Sequence, residues 1–172
     1  MTVYQVVEDR VMMAEPQTAY VSRIFDVDLI KRTITNPKIY KYISDDFSPS
    51  MDEFQPVIHK SVIYLGAYQK GEYLGLFMLH PVNGVTMEVH TCLLPAAWGN
   101  AKEFARIVIG WVWANTSTMR IITQVPKYNK LAKKLSLDAG MVEYGVNQSS
   151  FLKNNILHDI YLFGVSRGDI CH

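Results

Sequence analysis

Between Val57 and Leu94 the chain reads three times as strand and twice as turn. Val57–Gln69, Tyr73–His80 and Val85–Leu94 are rich in β-branched and aromatic residues, the types that suit a pleated, half-buried surface. Lys70-Gly71-Glu72 separates the first two runs. Pro81-Val82-Asn83-Gly84 separates the last two, with Asn-Gly as the strong hairpin element. Three antiparallel strands joined by tight turns make a meander. On its third strand, alternation sends Val85, Met87, Val89, Thr91 and Leu93 to one face, and Thr86, Glu88, His90, Cys92 and Leu94 to the other.

The flanks change period. A short strand is expected at Val3–Val7. Asp26 then offers an N-cap for a helix over about Val27–Thr35, and Asn36-Pro37 stops that helix and caps the next, through Ile39, Tyr40 and Ile43. Ser50 and Glu53 have capping-box spacing. After the meander, Pro95–Ala101 leads into a helix to about Asn115, and residues 120–126 read as a short buried strand ended by Pro126. Asn129–Ala139 is helical and stopped by Gly140. Val142–Leu152 and Ile156–Val165 close the chain as a hairpin around Lys153-Asn154-Asn155. A meander followed by βαβ implies an α/β fold, a mixed and mostly antiparallel sheet with flanking helices.

The 172 residues suffice for one domain, expected over 1–172. Apolar residues make up 49% and charged residues only 19%, which excludes intrinsic disorder. A net charge of +1 gives no global field toward nucleic acid. The longest apolar runs, such as Ile107–Ala114, are too short to cross a bilayer. Glu8, Asp9 and Arg10 behind Met1 do not have the shape of a signal peptide. Cys92 and Cys171 make no disulfide framework, and the five histidines include no HxH or HxxxH pair, so no metal site is expected.

From about Ile24 to Arg167 the element order and several strings resemble the GNAT acyltransferase superfamily. The most specific stretch is Val125-Pro126-Lys127-Tyr128-Asn129, then Ala132, Leu135 and Gly140-Met141-Val142-Glu143-Tyr144-Gly145, with Met141 in place of the usual aromatic. Phe151-Leu152-Lys153-Asn154-Asn155, His158-Asp159 and Leu162 resemble the family's closing hairpin. Pro95-Ala96-Ala97-Trp98-Gly99 sits where its pyrophosphate loop begins. The resemblance implies an acetyl-CoA site. Leu93 and Leu94 would offer main-chain groups to the pantetheine arm, Trp98, Gly99, Asn100 and Ala101 would carry the pyrophosphate, and Asn129 would approach the arm from the next helix. A helix N-terminus binds such an anion through its backbone N–H groups.

The loop departs from the family pattern Q/R-x-x-G-x-G/A. With Gly99 as first glycine, Ala96 holds the Gln/Arg position and Ala101 the last; aligned on Trp98-Gly99, Ala101 replaces the second glycine and Glu103 the final small residue. In either register Glu103 lies in the first helical turn, where a carboxylate opposes a bound anion. The resemblance also implies a catalytic base, and Glu88 with His90 on the same strand face are the candidates. The bland alternative is that both simply sit near a cleft. The family's general-acid Tyr falls at Ser136.

Lys127, Lys130 and Lys134 share a helix face, either solvated or open to a CoA 3′-phosphate, an acidic partner or DNA phosphates. His158-Asp159 reads as a hairpin-fixing pair rather than a dyad, and of Tyr40 and Tyr42 at least one should point away from the core.

More loosely, Val7-Glu8-Asp9-Arg10, Ala14-Glu15-Pro16 and Arg23-Ile24-Phe25-Asp26 together with this body resemble the small head-assembly proteins of short-tailed phages. That resemblance implies phage head or ejection proteins as partners, located in host cytoplasm or virion. With the altered loop, it makes a virion-assembly or DNA-delivery factor the leading expectation. The alternative is an acetyl-CoA-dependent N-acetyltransferase acting on a small amine.

Overall fold

A computed structural model describes residues 19–169. The strand expected at Val3–Val7 lies outside them. In chain order the elements are β1 (Ala19–Arg23), α1 (Val27–Ile34), α2 (Pro37–Ile43), β2 (Ile63–Gln69), β3 (Glu72–Pro81) and β4 (Thr86–Leu93). A 3₁₀ turn (Pro95–Asn100) follows, then α3 (Ala101–Asn115), β5 (Arg120–Pro126), α4 (Lys130–Asp138), β6 (Val142–Lys153) and β7 (Ile156–Ser166). The strands form one sheet in the order β1-β2-β3-β4-β5-β7-β6. Every neighbouring pair is antiparallel except β4–β5.

The caps anticipated in the sequence form. Asp26, Asn36 and Asn129 each accept from a backbone N–H of the helix they begin, at 2.9, 3.0 and 3.1 Å. Gly140 takes φ 92°, and Met141 N–H reaches back to Ser136 O at 3.0 Å, closing α4. Asn154 and Asn155 carry φ 53° and 58° in the two-residue turn between β6 and β7.

Three departures have local causes. β1 falls where the sequence signals no element; it pairs with β2 along its whole length. Residues 57–62 stay outside the ladder, with a turn at His59–Val62 and the Tyr64 hydroxyl bonded to Val57 O. The turn expected over Pro81–Gly84 falls later in the chain, with β3 running on to Pro81 and β4 beginning at Thr86. The Asn83 side chain accepts from the Val85 and Thr86 N–H groups at 2.9 and 3.0 Å, lengthening the loop so that Pro81 pairs with Met87.

The sheet is covered on both faces. Leu65, Phe77, Ile121 and Phe163 pack with Phe104, Val108 and Val112 of α3. On the other face Leu76 and Cys92 meet Ile30 and Ile34 of α1 and Ile39 of α2. Val89 and Leu93 belong to the first face and Cys92 to the second, as β4's alternation requires. Burial pushes the Cys92 thiol up to about 12, so it is no thiolate nucleophile.

The turn between β6 and β7 is tied to the loop after α2. The Asp46 carboxylate accepts from Asn154 and Asn155 N–H at 2.8 and 2.7 Å, and Lys153 Nζ donates to Ser44 O. Those two backbone bonds hold the Asp46 pKa below the ordinary carboxylate value. A depressed pKa means stabilisation that is full above the unfolded value, about 3.9, and is lost as pH falls through the folded one. Asp46→Ala should therefore lower the melting temperature more at pH 7 than at pH 3. An equal deficit at both would remove the carboxylate from the linkage.

Candidate active site

β4 and β5 are hydrogen-bonded over only three residue pairs, from Thr86↔Arg120 to Glu88↔Ile122. Beyond Glu88 the parallel strands part. Val89–Leu93 still pair with β3, but the edge of β4 that faced β5 has lost its ladder, leaving main-chain groups turned into the gap. A cavity of about 650 Å³ occupies this opening. Ile39 and Tyr42 of α2 wall it on one side of the sheet; Lys102 and Ala105 of α3 and Leu135 and Ser136 of α4 wall it on the other.

Glu88 stands where the strands part, on the α2 side, and is only 7% exposed. Gln124 Nε2, on β5, donates to its Oε2 at 3.3 Å. His90 lies two residues along on the same face, its Nε2 3.7 Å from Oε1. His80, paired with Glu88 across the β3–β4 ladder, brings its Nε2 within 3.8 Å of Oε2. The two imidazoles stack with centroids 5.2 Å apart, and their Nε2 atoms approach to 3.1 Å. Burial lowers the His90 pKa, the Glu88 carboxylate opposes that shift and His80 adds to it. A neutral His90 can take up a proton.

Glu88, His90, Leu93, Trp98, Gly99, Ala101 and Asn129 all border the cavity. Two candidates do not. Leu94 packs on the α1–α2 side, its N–H bonded to Leu74 O, and the Asn100 amide donates to Gln69 Oε1 at 2.7 Å. Glu103 is exposed in the first turn of α3 and does not border the cavity; its neighbour Lys102 does. The 3₁₀ turn runs straight into α3, so Ala101 N–H already bonds Trp98 O, and the Trp98 indole donates to Leu93 O at 3.0 Å. Ser136, at the position for which the resemblance implies a general-acid Tyr, is buried and bonded to Ala132 O.

The lysine stripe is largely paired. Lys127 precedes α4 and meets Asp159 at 3.2 Å, while Lys134 bonds Asp138. Asp159 also accepts from Ser149 N–H, and His158 lies edge-on to Tyr128, so the two share no dyad. Tyr40 is a core residue bonded to Pro49 O; Tyr42 faces the cavity.

His80 and Gln124 escaped the sequence reading. A two-residue Asn83-Gly84 turn would pair Val82 with Val85 and set His80 opposite Met87, on the wrong face. The longer loop shifts the register by one, and that shift alone brings His80 to Glu88.

In comparisons with known proteins, no curated protein matches the sequence. Solved structures do match in fold. Spermidine N-acetyltransferase from Vibrio cholerae, in complex with CoA and spermine, superposes with a TM-score of 0.74 at 19% identity, over 88% of this chain and 96% of that one. The aminoglycoside acetyltransferase AAC(6')-Ib, in complex with coenzyme A and kanamycin, gives 0.69 at 12% identity, over 88% and 96%. A probable acetyltransferase gives 0.69 at 16%, over 90% and 96%. The fold is therefore that of the GNAT acetyltransferases. Residues 22–171 match the family model described as "Protein of unknown function (DUF2824)". With nearly the whole chain inside that match, the protein belongs to the DUF2824 family.

Proposed function

We propose that the protein is an acetyl-CoA-dependent N-acetyltransferase acting on an amine. One observation carries the reading: a buried carboxylate, Glu88, stands at the point where β4 and β5 part to open a cavity between them. Two of the structural neighbours, a spermidine N-acetyltransferase and an aminoglycoside acetyltransferase, are in complex with coenzyme A. The head-assembly reading and its virion partners gain no support from these comparisons, and the stretch Val7–Pro16 behind that resemblance lies outside the described residues.

The residues present fit acyl-CoA in part. The unpaired edge of β4 suits the pantetheine amides, and Lys102 beside the start of α3 suits a pyrophosphate. The Ala101 N–H and the Leu93 carbonyl already have partners. Binding weaker than about 1 μM, or −8 kcal/mol, is expected. Bound acyl-CoA supplies an activated thioester. On the α2 side, Glu88 accepts the proton an amine must shed before its nitrogen can attack, directly or through one water. Gln124 donates to the carboxylate, and the two imidazoles stand beside it at 3.8 and 3.7 Å.

The test is calorimetry with CoA, and thiol release from acetyl-CoA with spermidine and kanamycin as acceptors. Saturable release with either acceptor supports the reading. No heat with 1 mM CoA and no release overturn it. Lys102→Ala should weaken CoA binding roughly 3- to 10-fold, the share of an exposed charge-assisted contact. Glu103→Gln should leave it within about twofold, because Glu103 does not border the cavity. A larger gain from Glu103→Gln would put that carboxylate at the anion after all.

A further inference from the structure

We infer that His80 Nε2, His90 Nε2 and the Glu88 carboxylate form a binding site for a first-row divalent transition ion, of which Zn²⁺ is the natural probe. Their ligand-type atoms all lie within 4.8 Å of one another. The two Nε2 atoms are 3.1 Å apart, and the carboxylate oxygens lie 3.8 and 3.7 Å from them. His80 is nearest Oε2 and His90 nearest Oε1, and separations of this order suit ligands that share one ion at bonds of about 2.1 Å.

The hydrogen-bond inventory points the same way. An N–H···N bond between the imidazoles uses one proton and turns both Nε2 atoms toward each other. Neither ring then reaches Glu88 within hydrogen-bond distance. Among the described residues the carboxylate, nine-tenths buried, has one amide donor, at 3.3 Å. A buried charge so poorly partnered is costly. A cation among the three atoms satisfies the carboxylate and both nitrogen lone pairs at once.

Two nitrogens and one carboxylate disfavour Mg²⁺ and Ca²⁺, which take oxygen ligands. Three protein ligands leave at least one coordination position open, and Glu88 and His90 border the cavity, so that position is open to small molecules. A cation bound to the carboxylate lowers its basicity, so on the acyltransfer reading metal occupancy should slow turnover. The site itself does not rest on that reading, and its test contains neither acyl-CoA nor acceptor.

Chelator-stripped full-length protein is titrated with Zn²⁺ against a chromogenic competitor, and Co²⁺ is followed by its visible absorption. One Zn²⁺ per chain below about 1 μM is expected, with tenfold or greater loss in His80→Ala and in His90→Ala. His59→Ala and His158→Ala should bind as the parent does. Excess Mg²⁺ should not displace Zn²⁺. Both target histidines are partly exposed, so their variants should fold, and thermal melts in chelator check this. Absence of binding at 100 μM Zn²⁺, or undiminished binding in a folded His80→Ala/His90→Ala double variant, overturns the site.

Discussion

Glu88→Gln is expected to lower acetyl transfer by about 10²- to 10⁴-fold, the usual contribution of a positioned base, and to leave the melting temperature almost unchanged. Glutamine keeps the shape of the side chain and an oxygen able to accept from Gln124 Nε2. It also relieves the cost of a carboxylate held at 7% exposure with one long hydrogen bond. Stability and turnover should therefore part company. The assay is run in chelator, so that loss of a metal ligand does not enter the result. A folded Glu88→Gln protein with turnover within threefold of the parent would place the base elsewhere, with His90 next in reach. A parent with no turnover on any amine would return the fold to a scaffold role, since fold does not fix function.

The parts of this molecule that were legible in its sequence are those set by local chemistry. Asp26, Asn36 and Asn129 announce helix starts because a side-chain oxygen satisfies an N–H that the helix cannot. Glu88 and His90 could be placed on one face because strand alternation needs no tertiary information. What could not be read depends on register or on backbone approach. His80 reaches Glu88 only because Asn83 bonds ahead to Val85 and Thr86 and lengthens the loop. Glu103 looked hostile to an anion by its position in the first turn. Which side of that turn faces the cavity follows from how α3 seats on the sheet, and Lys102 faces it instead. The Trp98 indole on Leu93 O has no sequence signature at all.

Gly75→Ala should be strongly destabilising. Gly75 has φ +122°, a backbone conformation that L side chains rarely adopt. A Cβ there would meet Cys92 O at 2.5 Å, Leu93 Cα at 2.7 Å and Leu94 N at 2.9 Å. All three are backbone atoms, so no side chain can swing aside. Strain and displacement together should cost about 3 kcal/mol, a fall of roughly 6–12 °C in melting temperature for a chain of this size. Gly71→Ala is the control: its φ is +78°, but nothing lies within 4 Å of the added carbon. It should cost about 1 kcal/mol, from strain alone. The displaced atoms in Gly75→Ala belong to the end of β4, where Leu93 borders the cavity and Leu94 N–H bonds Leu74 O. CoA affinity should therefore fall at temperatures where the variant is still folded, while Gly71→Ala binds as the parent does. Equal melts for the two variants would mean that β3 and β4 yield at this crossing without cost, and that Gly75 does not set the position of the cavity wall.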